Sequence, residues 1–415
     1  MLQQPSKETT DFILQHREED VRKLALKGQR GAAVDMTFAL QQIDGWQRAR
    51  TKLPMWAEHD GIIFPPHISM EQCSSEATAL YKQRLVRRLV PETSQARMAD
   101  LTGGFGVDFS YMSQGFKEAF YIEQQEHLCD IARHNFTALG MVNSHVINGV
   151  AEDALATLPS LDLIYLDPAR RDTHGKKTYA ISDCTPDVTT LLPLLREKTA
   201  NIIVKLSPML DHREAIRLLP GVTEVHIISV RNECKETLLV FGKDNGTCQV
   251  VCVNDGNTFV TKLNDQQTVA TAADIEVGTD LFVPNASIMK AGCFDALCSE
   301  FGIAPIDHNS HLFVSCHAGE NLKTTTSDGI LTGNFPGKVF RIKAVSTMNK
   351  RELKATLAGI TQANIATRNF PLSVEALKTK LRGVAKLRDG GETYIFATTA
   401  GGRHILIITE KHSRQ

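Results

Sequence analysis

The sequence predicts an α/β protein built on a mostly parallel, seven-stranded sheet, and two observations support that prediction. Between residues 96 and 242, short apolar segments alternate with helix-like segments, as in parallel sheets that helices cover on both faces. The last two apolar segments, residues 224–230 and 235–242, are too close for a helical crossover, so they must form a hairpin. Six parallel strands and one antiparallel strand at the end are therefore expected.

The helices and strands of this region follow from local patterns. Residues 74–90 place Tyr81, Leu85 and Leu89 on one helical face, with Ser74 or Ser75 as the cap. A second apolar stripe predicts a helix within residues 124–140. The remaining strands are expected at residues 96–102, 118–123, 145–149, 161–167 and 201–207.

The rest of the chain divides into three further parts. Residues 1–72 alternate polar, helix-like segments with proline-containing breaks, which predicts a helical N-terminal region. Residues 244–330 are rich in β segments and are expected to form a ferredoxin-like α+β region. Residues 331–415 read as strand, helix, helix, strand and strand, which predicts a small α+β domain. Residues 73–243 form the α/β domain.

Composition and charge limit the class of protein. A chain of 415 residues with 42% hydrophobic and 22% charged residues is typical of a soluble globular protein. It has no membrane-length apolar run or secretory pattern, and its nine cysteines are scattered, so we expect a cytoplasmic location. Residues 331–415 hold 15 Lys and Arg against 5 Asp and Glu, a net +10 that leaves −11 for residues 1–330. A basic module on an acidic body indicates a polyanion partner, most often nucleic acid, although it could be only a solubilising surface.

A glycine-rich turn after the first strand predicts a cofactor site. In "DLTGGFGVD" the glycines can take positive φ and bring the backbone close to a ligand. A dinucleotide fingerprint requires GxGxxG, but no third glycine follows Gly106 at that spacing, and Asp108 stands two residues after Gly106. An acid beside the turn suits an amino-acid ammonium group instead of a pyrophosphate, and S-adenosylmethionine carries such a group.

Further acids follow the next strands. Glu123 ends the second strand, where a carboxylate can accept both hydroxyls of a ribose. After the third strand, Glu152 or Asp153 can accept the amino group of an adenine. The predicted cofactor-binding residues are Asp100, Thr102, Gly103, Gly104, Phe105, Gly106, Asp108, Glu123, Glu152 and Asp153.

These motifs resemble a known family. The segments "DLTGGFG", "YIEQQ", "GVAEDAL" and "LDPAR", with the final hairpin, are similar to class I S-adenosylmethionine-dependent methyltransferases. Together with "PNASIMKAG", "NSHLF" and "DGGETYIFATTAGGRHILI", they resemble the bacterial subfamily that carries a C-terminal THUMP-like domain. The resemblance covers residues 73–415 and implies a Rossmann-like methyltransferase domain and an RNA substrate.

The resemblance also implies where catalysis occurs. In methyltransferases that act on exocyclic base amines, the acid of "LDPAR" and a following backbone carbonyl accept the amine protons, which points to Asp167 and Pro168. Arg170 departs from the pattern, because an aromatic residue often stacks on the target base there; an arginine can stack or hold a phosphate. Lys205, a charge at the end of an apolar strand, is the remaining candidate.

Three alternatives stay open. Lys82, Asp167, Lys205 and Glu236 occur in the Lys, Asp, Lys, Glu order of ribose 2′-O-methyltransferases, where a lysine helps to deprotonate a hydroxyl. The same fold could serve a nicotinamide oxidoreductase, or a catalytically inactive RNA-binding or scaffold protein. We expect no metal, because the spacing of His308, His311, Cys316 and His317 matches no common site.

Overall fold

The structure, a computed structural model, describes residues 5–26, 33–170, 181–243, 246–263, 269–272, 274–315 and 335–411. The chain divides into two compact units. The first comprises residues 1–230 and 235–249, and the second comprises residues 231–234 and 250–415. The four-part division expected from the sequence stays a prediction.

The N-terminal part of the first unit is helical, as predicted. Its helices are α1 (Lys7–His16), α2 (Val21–Leu26), α3 (Met36–Lys52), α4 (Pro54–Glu58) and α5 (His67–Gln72). Helix α3 begins where the Asp35 carboxylate accepts the backbone N–H of Phe38, and Pro54 opens α4 at a position where a missing N–H costs nothing.

A mostly parallel sheet forms the centre of the first unit. The strands up to this point in the chain are β1 (Arg97–Asp100), β2 (Glu118–Glu123), β3 (Ser144–Asn148), β4 (Leu163–Leu166), β5 (Ala169–Arg170), β6 (Cys184–Thr185), β7 (Ile202–Leu206), β8 (Glu224–Val230) and β9 (Glu233–Phe241), of which β5 and β6 form a separate two-stranded sheet. Seven of them lie in the order β3–β2–β1–β4–β7–β9–β8. Strands β1, β2, β3, β4 and β7 pair in parallel, whereas β9 pairs antiparallel to β7. The predicted parallel strands and the final hairpin are confirmed, within a sheet that has nine strands in total.

Helices pack on this sheet and complete its core. They are α6 (Glu76–Leu89), α7 (Val107–Met112), α8 (Glu126–Ala138), α9 (Ala151–Thr157), α10 (Val188–Lys198) and α11 (His212–Leu218). Ser75, not Ser74, caps α6 by accepting the backbone N–H of Thr78. The short strand β5 follows β4 closely and pairs with β6, in a segment that the sequence analysis left without strands.

The second unit has its own sheet. The elements that follow β9 are β10 (Gln249–Asn254), β11 (Asn257–Lys262), β12 (Asp280–Pro284), α12 (Ala286–Ala291), α13 (Phe294–Phe301), β13 (Ile303–Pro305), β14 (Phe313–Ser315), β15 (Gly337–Thr347), α14 (Lys350–Thr356), β16 (Asn364–Thr367), α15 (Val374–Arg382), β17 (Thr393–Ala400) and β18 (Arg403–Lys411). Seven of these strands form the sheet of the second unit, in the order β13–β14–β12–β15–β18–β17–β16. The predicted C-terminal pattern lacked β16, a short strand of half-buried residues that pairs parallel to β17.

Among the described residues, no helix is both long enough and apolar enough to cross a membrane.

Candidate active site

A cavity of about 690 Å³ opens at the carboxyl ends of the parallel strands of the first unit. Loops that follow strands β1, β2, β4 and β7 line it, at the edge where α/β sheets bind their ligands. The cavity brings together both groups of predicted site residues. Those that line it are Asp100, Thr102, Gly103, Gly104, Phe105, Gly106, Asp108, Glu123, Glu152, Asp167, Pro168 and Lys205.

The glycine turn lies against an aromatic ring. A Cβ atom at Gly103 would stand 2.1 Å from the ring of Tyr121, so only glycine fits there. Gly106 begins α7 with a φ of 87°, and a Cβ there would lie 2.9 Å from Phe136. The Tyr121 hydroxyl donates to the carbonyl of Gly104. These contacts hold the turn against the sheet and leave its outer side facing the cavity.

Asp100 ends β1 and is buried at the base of the turn. Its carboxylate accepts the backbone N–H of Thr102 at 3.0 Å, and no Lys or Arg of the described residues forms an ion pair with it. Burial raises the pKa of Asp100 well above its usual range, and the nearby Asp108, Asp167 and Glu123 carboxylates add to the rise. An ammonium group beside Asp100 would supply the missing positive charge, so the Asp100 carboxylate fits the amino-acid end of S-adenosylmethionine.

Glu123 ends β2 with a carboxylate that the backbone holds in place. One oxygen accepts the N–H of Gly104 at 2.8 Å and the other accepts the N–H of Gln125 at 2.9 Å. The side-chain amide of Gln125 also donates to that second oxygen at 3.3 Å, whereas the oxygen bound to Gly104 keeps a second lone pair and can accept a hydroxyl group. Glu123 therefore fits the predicted contact with a ribose.

Only one of the two acids proposed for the adenine faces the cavity. Glu152 lines it, whereas Asp153 is exposed and lies outside the lining. Both lie in the first turn of α9, where successive side chains point about 100° apart. The helix thus separates two residues that the sequence could not tell apart.

The four residues of the Lys, Asp, Lys, Glu pattern lie in one network. Lys205 Nζ is 2.5 Å from Asp167 Oδ2, and Lys82 Nζ is 2.5 Å from Glu236 Oε1. Lys82 lies in α6, Asp167 follows β4, and the other two lie in β7 and β9, so the sheet brings them together from distant parts of the chain. Burial alone would lower the pKa of Lys205, but Asp167, Asp108 and Glu236 outweigh it and raise that pKa, which keeps Lys205 protonated.

Asp108 joins the two pairs. Its Oδ1 lies 3.1 Å from Lys82 Nζ, and its Oδ2 lies 3.6 Å from Lys205 Nζ. Burial would raise the pKa of Asp108, but Lys82 and Lys205 overcome that effect and lower it to about 2. The sequence analysis assigned Asp108 to the cofactor. In the structure its carboxylate faces the two lysines, and a contact with the cofactor stays a prediction.

Asp167 presents its carboxylate to the cavity. Its backbone N–H donates to the Thr102 hydroxyl at 2.6 Å, which ties the end of β4 to the glycine turn, and its side chain is 37% exposed. Pro168 is buried and lines the same wall. Arg170 ends β5, but its side chain lies outside the described residues.

The N-terminal helices form part of this site, which the sequence did not reveal. The Phe105 ring lies 4.8 Å from Trp56 and 6.4 Å from Phe64, and all three rings are buried in one cluster. Phe105 thus anchors the glycine turn to the N-terminal region, and its contact with the cofactor stays a prediction. Further residues that the sequence analysis did not select also line the cavity: Ser69, Gln72, Cys73, Ser74, Tyr165, Ser207, Pro208 and Lys235.

No arrangement of three or more His, Cys, Asp or Glu side chains within the described ranges could hold a metal ion. Cys316 and His317 of the histidine-containing segment lie outside those ranges.

Comparisons with known proteins agree with this geometry. Residues 337–411 match the THUMP domain-like family, and residues 281–322 match a ferredoxin-like domain family. A protein from Porphyromonas gingivalis W83, assigned as a methyltransferase, matches 99% of this chain and 100% of its own length with 27% identity and a TM-score of 0.82. The chain is a class I methyltransferase with a C-terminal THUMP-like domain. The cofactor of this methyltransferase is S-adenosylmethionine, and the Asp100 and Glu123 carboxylates fit its ammonium group and its ribose hydroxyls.

Other solved structures match a smaller part of this chain. An assigned RNA methyltransferase from Pyrococcus horikoshii matches 47% of this chain and 98% of its own, with 16% identity and a TM-score of 0.34. TrmK from M. capricolum, in complex with S-adenosylhomocysteine, matches 40% of this chain and 68% of its own, with 14% identity and a TM-score of 0.29. At these TM-scores neither supports an argument about the methyltransferase. Among curated proteins, none matches it in sequence.

Proposed function

We propose that this methyltransferase modifies RNA. The observation that carries the proposal is the THUMP-like domain at residues 337–411, within a segment of net charge +10. Proteins with THUMP domains generally bind RNA, and neutralising phosphates with Lys and Arg supplies most of the affinity for a nucleic acid. The basic segment would hold the RNA while the cavity of the first unit methylates it.

An exocyclic base nitrogen is the first candidate acceptor. Methyl transfer is an in-line displacement, so the protein must mainly place the acceptor lone pair against the methyl carbon. Among the described residues, no group donates to Asp167 Oδ1 or to the Pro168 carbonyl, so both could accept the protons of an amine. As the new C–N bond forms and the C–S bond breaks, Asp167 would take the released proton.

A ribose 2′-hydroxyl is the second candidate, and one observation favours it. Lys82, Asp167, Lys205 and Glu236 meet in one buried network, which chance agreement of a sequence pattern would not produce. Because Lys205 is protonated, it would stabilise the negative charge that develops on the hydroxyl oxygen, and Asp167 would accept the proton.

Replacing Asp167 tests the shared part of both mechanisms. In the variant Asp167→Ala we expect S-adenosylmethionine affinity within about threefold of wild type and a loss of at least about a hundredfold in transfer of labelled methyl to bulk cellular RNA. Calorimetry and scintillation counting measure the two quantities. Asp60→Ala, which removes an acid that is 89% exposed, is the control. Undiminished transfer by Asp167→Ala would refute the role of Asp167.

The modified nucleoside separates the two acceptors. Nuclease digestion and mass spectrometry of RNA from cells with and without the protein would show the methyl group on a base or on a ribose. A wild-type protein that binds S-adenosylmethionine but labels no RNA would instead support a catalytically inactive RNA-binding or scaffold protein.

Charge substitutions test the role of the basic segment. Replacing the exposed Lys354, Lys380, Arg388 and Arg403 by Gln should weaken RNA binding and flatten its salt dependence, by about 0.7–0.9 in the log–log slope for each lost phosphate contact. The matched control replaces four exposed basic residues of the first unit, Lys7, Lys23, Arg87 and Lys117, by Gln. Equal slopes for the two variants would contradict the proposal.

A further inference from the structure

The hydroxyl of Ser74 lies between the two buried lysines of the site. Its Oγ is 3.1 Å from Lys205 Nζ and 3.2 Å from Lys82 Nζ, and it donates to Asp108 Oδ2 at 2.7 Å. A serine hydroxyl has one proton to donate and two lone pairs to accept with, so these contacts use its entire hydrogen-bonding capacity. Ser74 is 7% exposed, and it does not cap α6, because Ser75 does.

Asp108 and Tyr165 complete the same cluster from two other elements. Asp108 Oδ2 accepts the Tyr165 hydroxyl at 2.7 Å in addition to that of Ser74. Tyr165 is a residue of β4, two positions before Asp167, and it is 1% exposed. The carboxylate of Asp108 is thus held by two hydroxyls while it faces both ammonium groups.

These contacts solve a positioning problem. A lysine side chain has four rotatable bonds, so its ammonium group can occupy many positions unless other groups hold it. Lys205 must keep its ammonium on Asp167 Oδ2 so that Oδ1 stays directed to the acceptor, and a shift of about 1 Å at such a site can cost a hundredfold in rate. Ser74 and Asp108 give the Lys205 ammonium two further contacts besides Asp167.

We propose that Ser74, Asp108 and Tyr165 are positioning residues that hold the Lys205 ammonium against Asp167 and so orient the acceptor-binding carboxylate. The inference rests on the proposed function only in placing the acceptor at Asp167. Ser74 lies between α5 and α6, directly before the helix that carries Lys82.

Competitive labelling of lysines with acetic anhydride tests the position of Lys205 without any RNA. In the wild type we expect slow acetylation of Lys205, which is buried and protonated. In Ser74→Ala we expect acetylation at least about tenfold faster, with exposed Lys117 unchanged as the internal reference. Ser75→Ala is the matched control, because it removes a neighbouring hydroxyl and the cap of α6 but no bond to Lys205. Equal Lys205 labelling in Ser74→Ala and Ser75→Ala overturns the proposal.

Kinetics supply the second measurement. Ser74→Ala should lower kcat for labelled methyl transfer to bulk RNA about ten- to a hundredfold while the KM for S-adenosylmethionine stays within about twofold, whereas Ser75→Ala should lower stability but keep kcat. A kcat equal to that of the wild type counts against the proposal. Failure of the wild type to label RNA would refute the proposed function, and the acetylation result would still decide the role of Ser74.

Tyr165→Phe provides a second test of the same cluster if Ser74→Ala does not fold. It removes one hydroxyl at the far side of Asp108 and should lower kcat about three- to tenfold and speed the acetylation of Lys205. Because Ser74 and Tyr165 act through the same Asp108 oxygen, the double variant should lose less than the product of the two single losses. Fully multiplicative losses would show that the two residues act independently and would refute the shared cluster.

Discussion

Asp100 and Asp108 lie on either side of the same glycine turn, and both are buried, yet their pKa values shift in opposite directions. Burial raises the pKa of Asp100 well above its usual range, and its charged neighbours add to the rise because they are carboxylates too. Burial would raise the pKa of Asp108 as well, but Lys82 and Lys205 outweigh it and lower the pKa to about 2. Two acids eight positions apart in the chain thus serve different ends of one cavity.

The difference shows how a single loop can hold a cofactor and support an acceptor. The Asp100 end lacks a positive charge among the described residues and is completed by a cationic ligand. The Asp108 end carries its own cations, so it is complete without a ligand and gains rigidity instead. Asp100 is therefore available to bind a cationic ligand, whereas Asp108 stabilises the structure of the site.

The largest expected effect comes from removing Lys82, one of the two cations that contact Asp108. Lys82→Met leaves Glu236 without its ammonium partner and Asp108 with one partner fewer in a buried site, which should lower the free energy of unfolding by about 3–5 kcal/mol. Urea unfolding of the protein measures this change. The control Lys117→Met alters an exposed lysine and should stay within about 0.5 kcal/mol. Similar values for the two variants would show that the buried network is not what stabilises this end.

Unlike Lys82→Met, the variant Asp100→Asn should not lower the stability of the protein. Because the folded-state pKa is raised, the stability that the carboxyl group contributes is fully present below its unfolded value of 3.8 and is lost as pH rises through the folded-state pKa. Without cofactor at pH 7, the neutral amide should therefore keep or raise the melting temperature. Affinity for S-adenosylmethionine should fall about ten- to a hundredfold, because a charge-assisted bond of about 1.5–3 kcal/mol is lost. Calorimetry decides the second point, and unchanged affinity would remove Asp100 from the cofactor site.

The smallest expected effect concerns His226, a buried histidine of β8 that contacts Tyr81 of α6. His226 Nε2 lies 2.8 Å from Glu224 and its Nδ1 lies 2.6 Å from the Tyr81 hydroxyl, contacts that suit a neutral ring. Burial lowers the pKa of His226, against the opposing effect of Glu224 and with a small contribution from Arg88. Its contribution to stability is therefore present above the unfolded value of 6.5 and is lost as pH falls through the folded-state pKa.

Urea unfolding at pH 7.5 and pH 5.5 measures this contribution. The wild type should lose more stability on acidification than His226→Gln, because glutamine does not titrate. The same pH dependence in both proteins would assign the loss to other groups.

Local patterns were enough to predict the parts of the site that depend on strand ends. Asp100, Glu123 and Asp167 each follow an apolar strand, and the carboxyl ends of parallel strands meet at one edge, so their joint placement could be expected. The glycine spacing likewise predicted a turn that approaches a ligand. By contrast, β16 was missed because its four residues are only half-buried and carry little apolar signal.

Contacts between distant segments could not be predicted in this way. Ser74 and Lys205 are 131 positions apart, and Lys82 and Glu236 are 154 positions apart, so no local rule relates them. The order of the Lys, Asp, Lys, Glu pattern raised the possibility that these residues meet, but only the packing of α6 on the sheet brings them within hydrogen-bonding distance. The same holds for Phe105, whose burial depends on helices of the N-terminal region.

The amino-acid sequence alone determined the architecture and the cofactor end of the site, because strand alternation, glycine spacing and strand-end acids act over a few residues. Tertiary structure decided which acids acquire cations, which of Glu152 and Asp153 faces the cavity, and what the N-terminal region does. Those outcomes depend on burial and on charges brought together from distant segments, and both exist only once the chain has folded.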